Sequence, residues 1–72
     1  MDIRIGKWGR IISGDEAGWY LKVEDDANST GGYIIITCKE PGSNIGYDNW
    51  VKDLVHLRNY FKASNWSIEW LE

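Results

Sequence analysis

The strongest structural signal lies in residues 48–64, which read DNWVKDLVHLRNYFKAS. Large apolar side chains recur there at spacings of four, three and four residues, which places them on one side of a helix. They are Trp50, Leu54, Leu57 and Phe61. Asp48 suits the helix start as an N-cap, while Lys62 and Asn65 suit its last turn and its end. We therefore predict one amphipathic helix over residues 48–64.

Four other segments have the pattern of β-strands, and they span residues 2–12, 18–24, 33–38 and 66–71. In the second segment apolar and polar side chains alternate, which is typical of a half-buried strand. The third segment is apolar on both faces, which favours a central position in a sheet. Gly6 and Gly9 indicate a bend within the first segment. Polar turns and loops separate the strands.

This order of elements, β-β-β-α-β, predicts an α+β two-layer sandwich. A single helix must bury its apolar side, and a mostly antiparallel sheet supplies the matching surface. We expect the third and last strands to be parallel, joined by a right-handed crossover through the helix. With 43% hydrophobic residues in a chain of 72, we expect residues 1–72 to form a single domain. The second face of the sheet is left in solvent.

Charge and cysteine content narrow the partners and the compartment. The net charge is −3, whereas affinity for nucleic acids depends on basic side chains that neutralise phosphates. The only cysteine, Cys38, cannot form a disulfide within the chain, and no apolar run follows the first residues. The longest apolar stretch, residues 33–36, is far shorter than the ~20 residues of a membrane span. We expect a cytoplasmic protein that binds neither nucleic acid nor membrane.

Two positions carry residue types that occur in catalytic sites, His56 and Cys38. His56 follows Asp53 by three residues, so His56 could be a general base that the Asp53 carboxylate orients. An ordinary pair on a helix surface has the same spacing. Cys38 ends an apolar strand without a basic cluster or helix start to lower its pKa, which favours a packing role. We predict that the chain is not an enzyme and has no catalytic residues.

The polar loop after the second strand is rich in oxygen ligands, at Asp25, Asp26, Asn28 and Ser29. It lacks the alternating acidic positions and distal Glu of an EF-hand. One His and one Cys are too few for an ordinary zinc site. The glycines fit no phosphate-binding loop. We expect neither a metal nor a cofactor.

The aromatic content is the feature that points to function, with five Trp and four Tyr in 72 residues. Several of these residues fall outside the inferred core, and carboxylates lie near them. Trp and Tyr dominate the energetics of protein interfaces, and acidic charge favours a basic partner. The partner-binding residues predicted on this basis are Trp8, Tyr20, Glu24, Asp25, Asp26 and Tyr47. In the alternative interpretation, the carboxylates only keep a small protein soluble.

Four stretches carry a resemblance that covers most of the chain. They are GWYLKVEDD at 18–26, TGGYII at 30–35, GYDNWV at 46–51 and WSIEWL at 66–71. Together they resemble small uncharacterised bacterial proteins, some of which are similar to immunity proteins of polymorphic toxin systems. The resemblance implies a small acidic cytoplasmic inhibitor that protects the cell by occluding a toxin. It includes no catalytic motif and assigns no site residue.

Three functions remain open at this point. The first is a small acidic protein-binding module, an immunity-type protein or inhibitor that occludes a partner protein such as a basic toxin or nuclease. The second is a small-molecule or carbohydrate-binding domain that uses exposed Trp and Tyr side chains. The third is a structural homodimer subunit that associates through the free sheet face or an edge strand.

Overall fold

A computed structural model describes residues 3–42 and 44–71 of the chain. Its elements follow the order β-β-β-β-α-β. Their bounds are β1 Trp8–Ser13, β2 Tyr20–Asp26, β3 Gly32–Cys38, β4 Gly46–Val51, α1 Leu54–Ala63 and β5 Ser67–Trp70. The predicted α+β class, with one helix packed on one side of an antiparallel sheet, is confirmed. The sheet has five strands, where the sequence pattern predicted four.

The additional strand, β4, occupies the first part of the predicted helix. Asp48 is therefore not the N-cap, and Trp50 and Val51 are strand residues. The helix begins one residue after Asp53, whose backbone is extended (φ −160°, ψ 179°) and whose carboxylate accepts from the His56 backbone N–H. Such geometry is typical of an N-cap. The predicted end is correct, because Asn65 adopts the left-handed conformation (φ 57°).

Pairing with β3 explains why residues 46–51 are extended. β3 is apolar on both faces, and it bonds β2 on one side and β4 on the other along the full register from Tyr33↔Val51 to Cys38↔Gly46. Tyr, Trp and Val also fit a pleated surface well. A central strand with two neighbours satisfies its backbone groups on both sides, and this tertiary requirement outweighs the local helical spacing.

The strand order in the sheet is β4-β3-β2-β1-β5. The predicted parallel pairing of the third and last strands is wrong, because β5 pairs antiparallel with β1 at the far edge. Since every pair in the sheet is antiparallel, β4 and β5 run in the same direction and lie at opposite edges. The connection between these two edge strands contains α1, which packs against one face of the sheet.

The first predicted strand, residues 2–12, is shorter than expected. Residues 5 and 6 form a turn, Gly6 has φ +82°, and the strand begins at Trp8. The bend expected from the glycines is therefore present at Gly6. Asp2 lies outside the described residues.

The core lies between α1 and the sheet. Its buried members are Ile11, Leu21, Val23, Ile35, Leu57, Phe61 and Trp66. The Trp66 ring meets Phe61 edge to face at 4.9 Å, and its Nε1 donates to the Asp15 carbonyl at 2.7 Å. A buried indole needs such an acceptor, and this bond joins the turn after β1 to the start of β5. In the described ranges, no helix has the length and apolarity required to cross a membrane.

Candidate functional site

The candidate site is the face of the sheet opposite α1, which we call the open face. Strand register defines it, because side chains alternate between faces and residues opposite each other share one. One row runs Trp8, Lys22, Ile36 and Asp48, and the next runs Glu24, Ile34 and Trp50. The register also places on this face the side chains of Arg10, Tyr20, Asp26, Cys38 and Glu69, together with two glycines, Gly32 and Gly46.

Trp50 is the most exposed large aromatic side chain on this face, with 53% of its surface accessible. Its indole Nε1 donates to Thr30 Oγ1 at 2.8 Å, and the Thr30 hydroxyl donates to Asp26 Oδ2 at 2.8 Å. Successive bonds of this kind polarise and strengthen one another, and the final acceptor is a carboxylate. The bonds hold the exposed indole in one orientation.

Gly32 allows the indole to lie against the backbone. A Cβ at Gly32 would come within 2.6 Å of Trp50 Nε1 and 2.9 Å of Cε2, closer than real Cβ contacts. Only glycine provides this approach at a position inside a strand. Trp50 is thus supported from below by backbone and at its edge by Thr30, while its outer surface faces solvent.

The polar loop after β2 is built around Asp26. The Asp26 carbonyl accepts from the backbone N–H groups of Ser29, Thr30 and Gly31 at 2.9–3.1 Å. Its carboxylate binds the Thr30 hydroxyl, as described above. Asp25 stabilises the same turn, since its Oδ1 accepts from the Ala27 backbone N–H at 2.9 Å. The loop therefore fixes Thr30 beneath the indole edge.

A second aromatic position lies on the other side of the open face. Lys22 Nζ is 5.8 Å from the centre of the Trp8 ring and 3.7 Å from Glu24 Oε2. A cation at this distance from an indole face is attracted to it. The ammonium group is thus shared between Trp8 and Glu24, and these three side chains flank the isoleucines at the middle of the face.

Four of the six predicted binding residues come together on the open face, namely Trp8, Tyr20, Glu24 and Asp26. Asp25 and Tyr47 do not, because the register places them on the side of the sheet that carries α1. Tyr47 stacks on Trp19 there, with ring centres 6.0 Å apart and planes within 5°. It is 61% exposed, so it remains accessible, but on the opposite surface.

Trp50 was missed because the helical spacing assigned it to the core. A usable signal was present in residues 46–51, where Tyr47, Asn49 and Val51 alternate with Asp48 and Trp50. The doubly apolar β3 also required a second neighbouring strand. The strand register also places Ile34 and Ile36 on the open face, whereas Tyr33 packs against the core.

Neither considered catalytic position has an activated geometry. Burial raises the pKa of the Cys38 thiol, with a smaller contribution from Glu40, which disfavours the reactive thiolate. Asp53 Oδ1 lies 2.7 Å from His56 Nδ1, but the same oxygen caps the helix by accepting from the His56 backbone N–H. This second bond is the main cause that lowers the pKa of Asp53. The contact between Asp53 and His56 is therefore the N-cap of α1.

The oxygen-rich loop does not converge on a cation position. Asp25 Oδ1 and Asp26 Oδ2 are each engaged by a neighbour in the loop. Within residues 3–42 and 44–71, no group of three or more His, Cys, Asp or Glu side chains is arranged to hold a metal ion.

The open face therefore combines aromatic and aliphatic side chains with a border of carboxylates. The chain matches no protein-family profile, no curated protein and no solved structure.

Proposed function

We propose that this protein is a small acidic binding module whose open face occludes a partner protein, in the manner of an immunity protein or inhibitor. The observation that carries the proposal is the fixed, half-exposed indole of Trp50, which lies beside Ile34 in the row that continues to Glu24 and is linked through Thr30 to Asp26. The resemblance described in the sequence analysis implies the same function. The cytoplasm is the compartment that we propose for it.

The fixed indole suits the centre of an interface. Binding normally costs the conformational freedom of the side chains that become ordered, and a side chain that is already held loses less. Trp is among the residues that most often dominate binding energy, and such residues lie in apolar surroundings. Trp50 has these surroundings, because Ile34 is its direct cross-strand neighbour and Ile36 follows in the next row.

The charges of the open face indicate the chemistry of the partner. Among the strand residues that the structure describes, four carboxylates lie there, on Glu24, Asp26, Asp48 and Glu69, against two basic side chains, on Arg10 and Lys22. Lys22 is already paired with Glu24. A partner with basic side chains around an apolar patch is complementary to this surface, and complementary charge accelerates encounter. The substrate-binding site of a nuclease toxin has this character.

A specific complex would use most of the open face. A standard interface buries about 800 Å² on each partner, which is roughly one-sixth of the 4649 Å² accessible surface of this chain. One side of a five-stranded sheet can supply an area of this order. The module would therefore inhibit its partner by covering the partner's binding site with the open face.

Two experiments test the proposal: photo-crosslinking identifies the partner, and a matched pair of variants on β4 locates the interface. A photo-crosslinking residue at position 36 in the native host identifies the partner, and the same residue at position 55 serves as control for the opposite side. For the purified complex, we expect Trp50→Ala to raise Kd by about 30-fold, the effect of a typical interface hot spot. Tyr47→Ala removes an exposed aromatic residue from the same strand but the other face, and should change Kd little.

A second pair tests the charge argument. Glu24→Lys should slow association and weaken its dependence on ionic strength, whereas Asp15→Lys, an exposed charge reversal near Tyr60 on the α1 side, should not. If Tyr47→Ala weakens the complex and Trp50→Ala does not, the open face is the wrong surface. Crosslinking to a second copy of the chain at position 36 would instead support the homodimer alternative.

One observation favours a carbohydrate as the second candidate ligand. A fixed indole with carboxylates nearby also offers a stacking surface and hydrogen-bond acceptors for a sugar ring. Wild-type protein and Trp50→Phe are each titrated with a panel of mono- and oligosaccharides, and tryptophan fluorescence is the signal. The comparison separates this function from protein binding. A change in wild-type fluorescence that the variant lacks would support the sugar.

A further inference from the structure

A groove of about 460 Å³ lies on the other side of the molecule, between α1 and the segment that precedes β1. Its volume is within the range of about 300–1,000 Å³ that is usual for small-molecule sites. The lining residues are Ile3, Val55, Arg58, Asn59, Phe61 and Lys62. None of them belongs to the open face, so the groove is independent of the proposed protein-binding surface.

Helix geometry creates the groove. Val55, Asn59 and Lys62 follow one another at spacings of four and three residues, and Arg58 is adjacent, so these side chains form one stripe along α1. Phe61 is buried beneath them, and Ile3 packs against the core from the other side. The result is an apolar floor with a polar border along the helix.

The border of the groove is basic although the chain as a whole carries a net charge of −3. Arg58 and Lys62 are one helical turn apart, so their side chains lie on the same surface. Neither side chain forms a hydrogen bond or ion pair with any residue in the ranges 3–42 and 44–71. The described lining includes no acidic residue, and the Asn59 amide adds a neutral hydrogen-bond donor.

We infer that this groove binds a small amphiphilic carboxylate, with its hydrocarbon part against Ile3 and Val55, above the buried Phe61. The carboxylate accepts hydrogen bonds from Arg58 and Lys62. The planar guanidinium matches a carboxylate with two parallel bonds, and the lysine ammonium contributes a further charge-assisted bond. The apolar floor gives affinity for the chain of the ligand, and the basic border selects its charged end.

An NMR titration of the full chain with sodium octanoate tests this inference. We expect the backbone amide signals of residues 55–62 to shift. Octan-1-ol carries the same chain without charge, and acetate carries the charge without a chain, so both should bind at least about tenfold more weakly, the effect of one hydrogen bond to a charged group. Equal affinity for octanoate and octan-1-ol would overturn the carboxylate assignment.

Variants locate the ligand in the groove. Lys62→Gln should weaken octanoate about tenfold, while Lys39→Gln, which removes the same charge from an exposed position outside the groove, should leave the affinity unchanged. Val55→Glu places a like charge at a lining position that is 60% exposed, so the fold should tolerate it while octanoate binding is lost. Signal shifts confined to the open face, unaltered affinity in Lys62→Gln, or co-sedimentation with phosphatidylglycerol vesicles in the absence of octanoate binding would each overturn the inference.

Discussion

Asp53 determines where α1 begins. Its Oδ1 accepts from the His56 backbone N–H at 2.9 Å and lies 2.7 Å from His56 Nδ1. The backbone bond satisfies one of the amide hydrogens that a helix start otherwise leaves without a partner. Asp48, five residues earlier, has a suitable side chain for the same role, but the pairing of β4 with β3 holds it in a strand.

The first prediction concerns the pH dependence that Asp53 confers. Hydrogen bonds from His56 lower the pKa of this carboxylate, chiefly the backbone one. A lowered pKa in the folded state means that ionised Asp53 stabilises the fold above the ordinary aspartate pKa, and that this contribution is lost as the pH falls through the lowered value. Asp53→Asn keeps a good N-cap but cannot ionise.

Urea unfolding of wild-type protein and Asp53→Asn, measured from neutral to acid pH, checks this expectation. The stability advantage of the wild type should shrink as the pH falls. Asp53→Ala, which has no capping oxygen, should have a lower Tm than the wild type over the whole range. A difference between wild type and Asp53→Asn that stays constant with pH would contradict the role assigned to the ionised carboxylate.

At the level of elements, α1 buries a narrower stripe than its sequence suggests. Leu57 and Phe61 are fully enclosed, whereas Leu54 and Val55 remain exposed. The spacing from Trp50 through Leu54 to Leu57 describes a continuous helical face, but the chain turns from β4 into α1 at residues 52 and 53. Leu54 therefore lies at the first position of the helix, away from the middle of the sheet, and makes a smaller contribution to the core.

Two leucines, three residues apart, provide the second prediction. Leu57→Ala empties a fully buried position (0% exposed) and should lower the free energy of unfolding by about 2–5 kcal/mol. Leu54→Ala is the same chemical change at 42% exposure, and should cost only about 0.5 kcal/mol. Chemical denaturation followed by circular dichroism measures both. Equal losses would mean that the two residues are equally buried and that α1 is rotated from the position described.

The open face depends on β4 as an element. It brings Trp50 and Asp48 beside Ile34 and Ile36, and it gives the sheet its fifth strand. Its register with β3 is continuous over six pairs, whereas the pairing of β1 with β5 is interrupted between Ile11 and Ser13. The more regular edge strand of the sheet is thus β4, which carries Trp50.

For the whole molecule, the core joins parts of the chain that are far apart in sequence. Its buried residues come from β1, β2, β3, α1 and the residue before β5. The Trp66 indole bonds the Asp15 carbonyl across 51 positions. Each element buries its apolar side only against the others, as is usual for a chain of this size.

The third prediction follows from this shared core. If residues 1–72 are one domain, unfolding should be a single cooperative transition, because no element retains its buried surface without the rest. Far-ultraviolet circular dichroism reports the backbone, and tryptophan fluorescence reports the surroundings of the indoles. The two transitions should coincide in the wild type and shift together in Leu57→Ala. Separate midpoints would contradict the single-domain prediction.

The candidate site was predicted in part. The alternation within residues 18–24 correctly placed Tyr20 and Glu24 on the face opposite Leu21. Successive side chains of a strand point to opposite faces, so their order in the sequence determines which of them share a face. Asp26 was predicted to lie in the polar loop and Trp8 was assigned to no face, so only the strand register places them on the open face. Asp25 and Tyr47 were chosen by residue type alone, and residue type does not reveal which face of a sheet a side chain occupies.

Local periodicity and turn chemistry determined the α+β class, the central position of β3, and the end of α1 at Asn65. These properties depend on neighbours in sequence, whose geometry the backbone fixes over a few residues. Tertiary pairing alone decided that residues 46–51 form a strand, that β5 lies beside β1, and that Trp50 faces solvent. Hydrogen bonds between strands join distant residues, and their total outweighs the small preference of a six-residue segment for a helix.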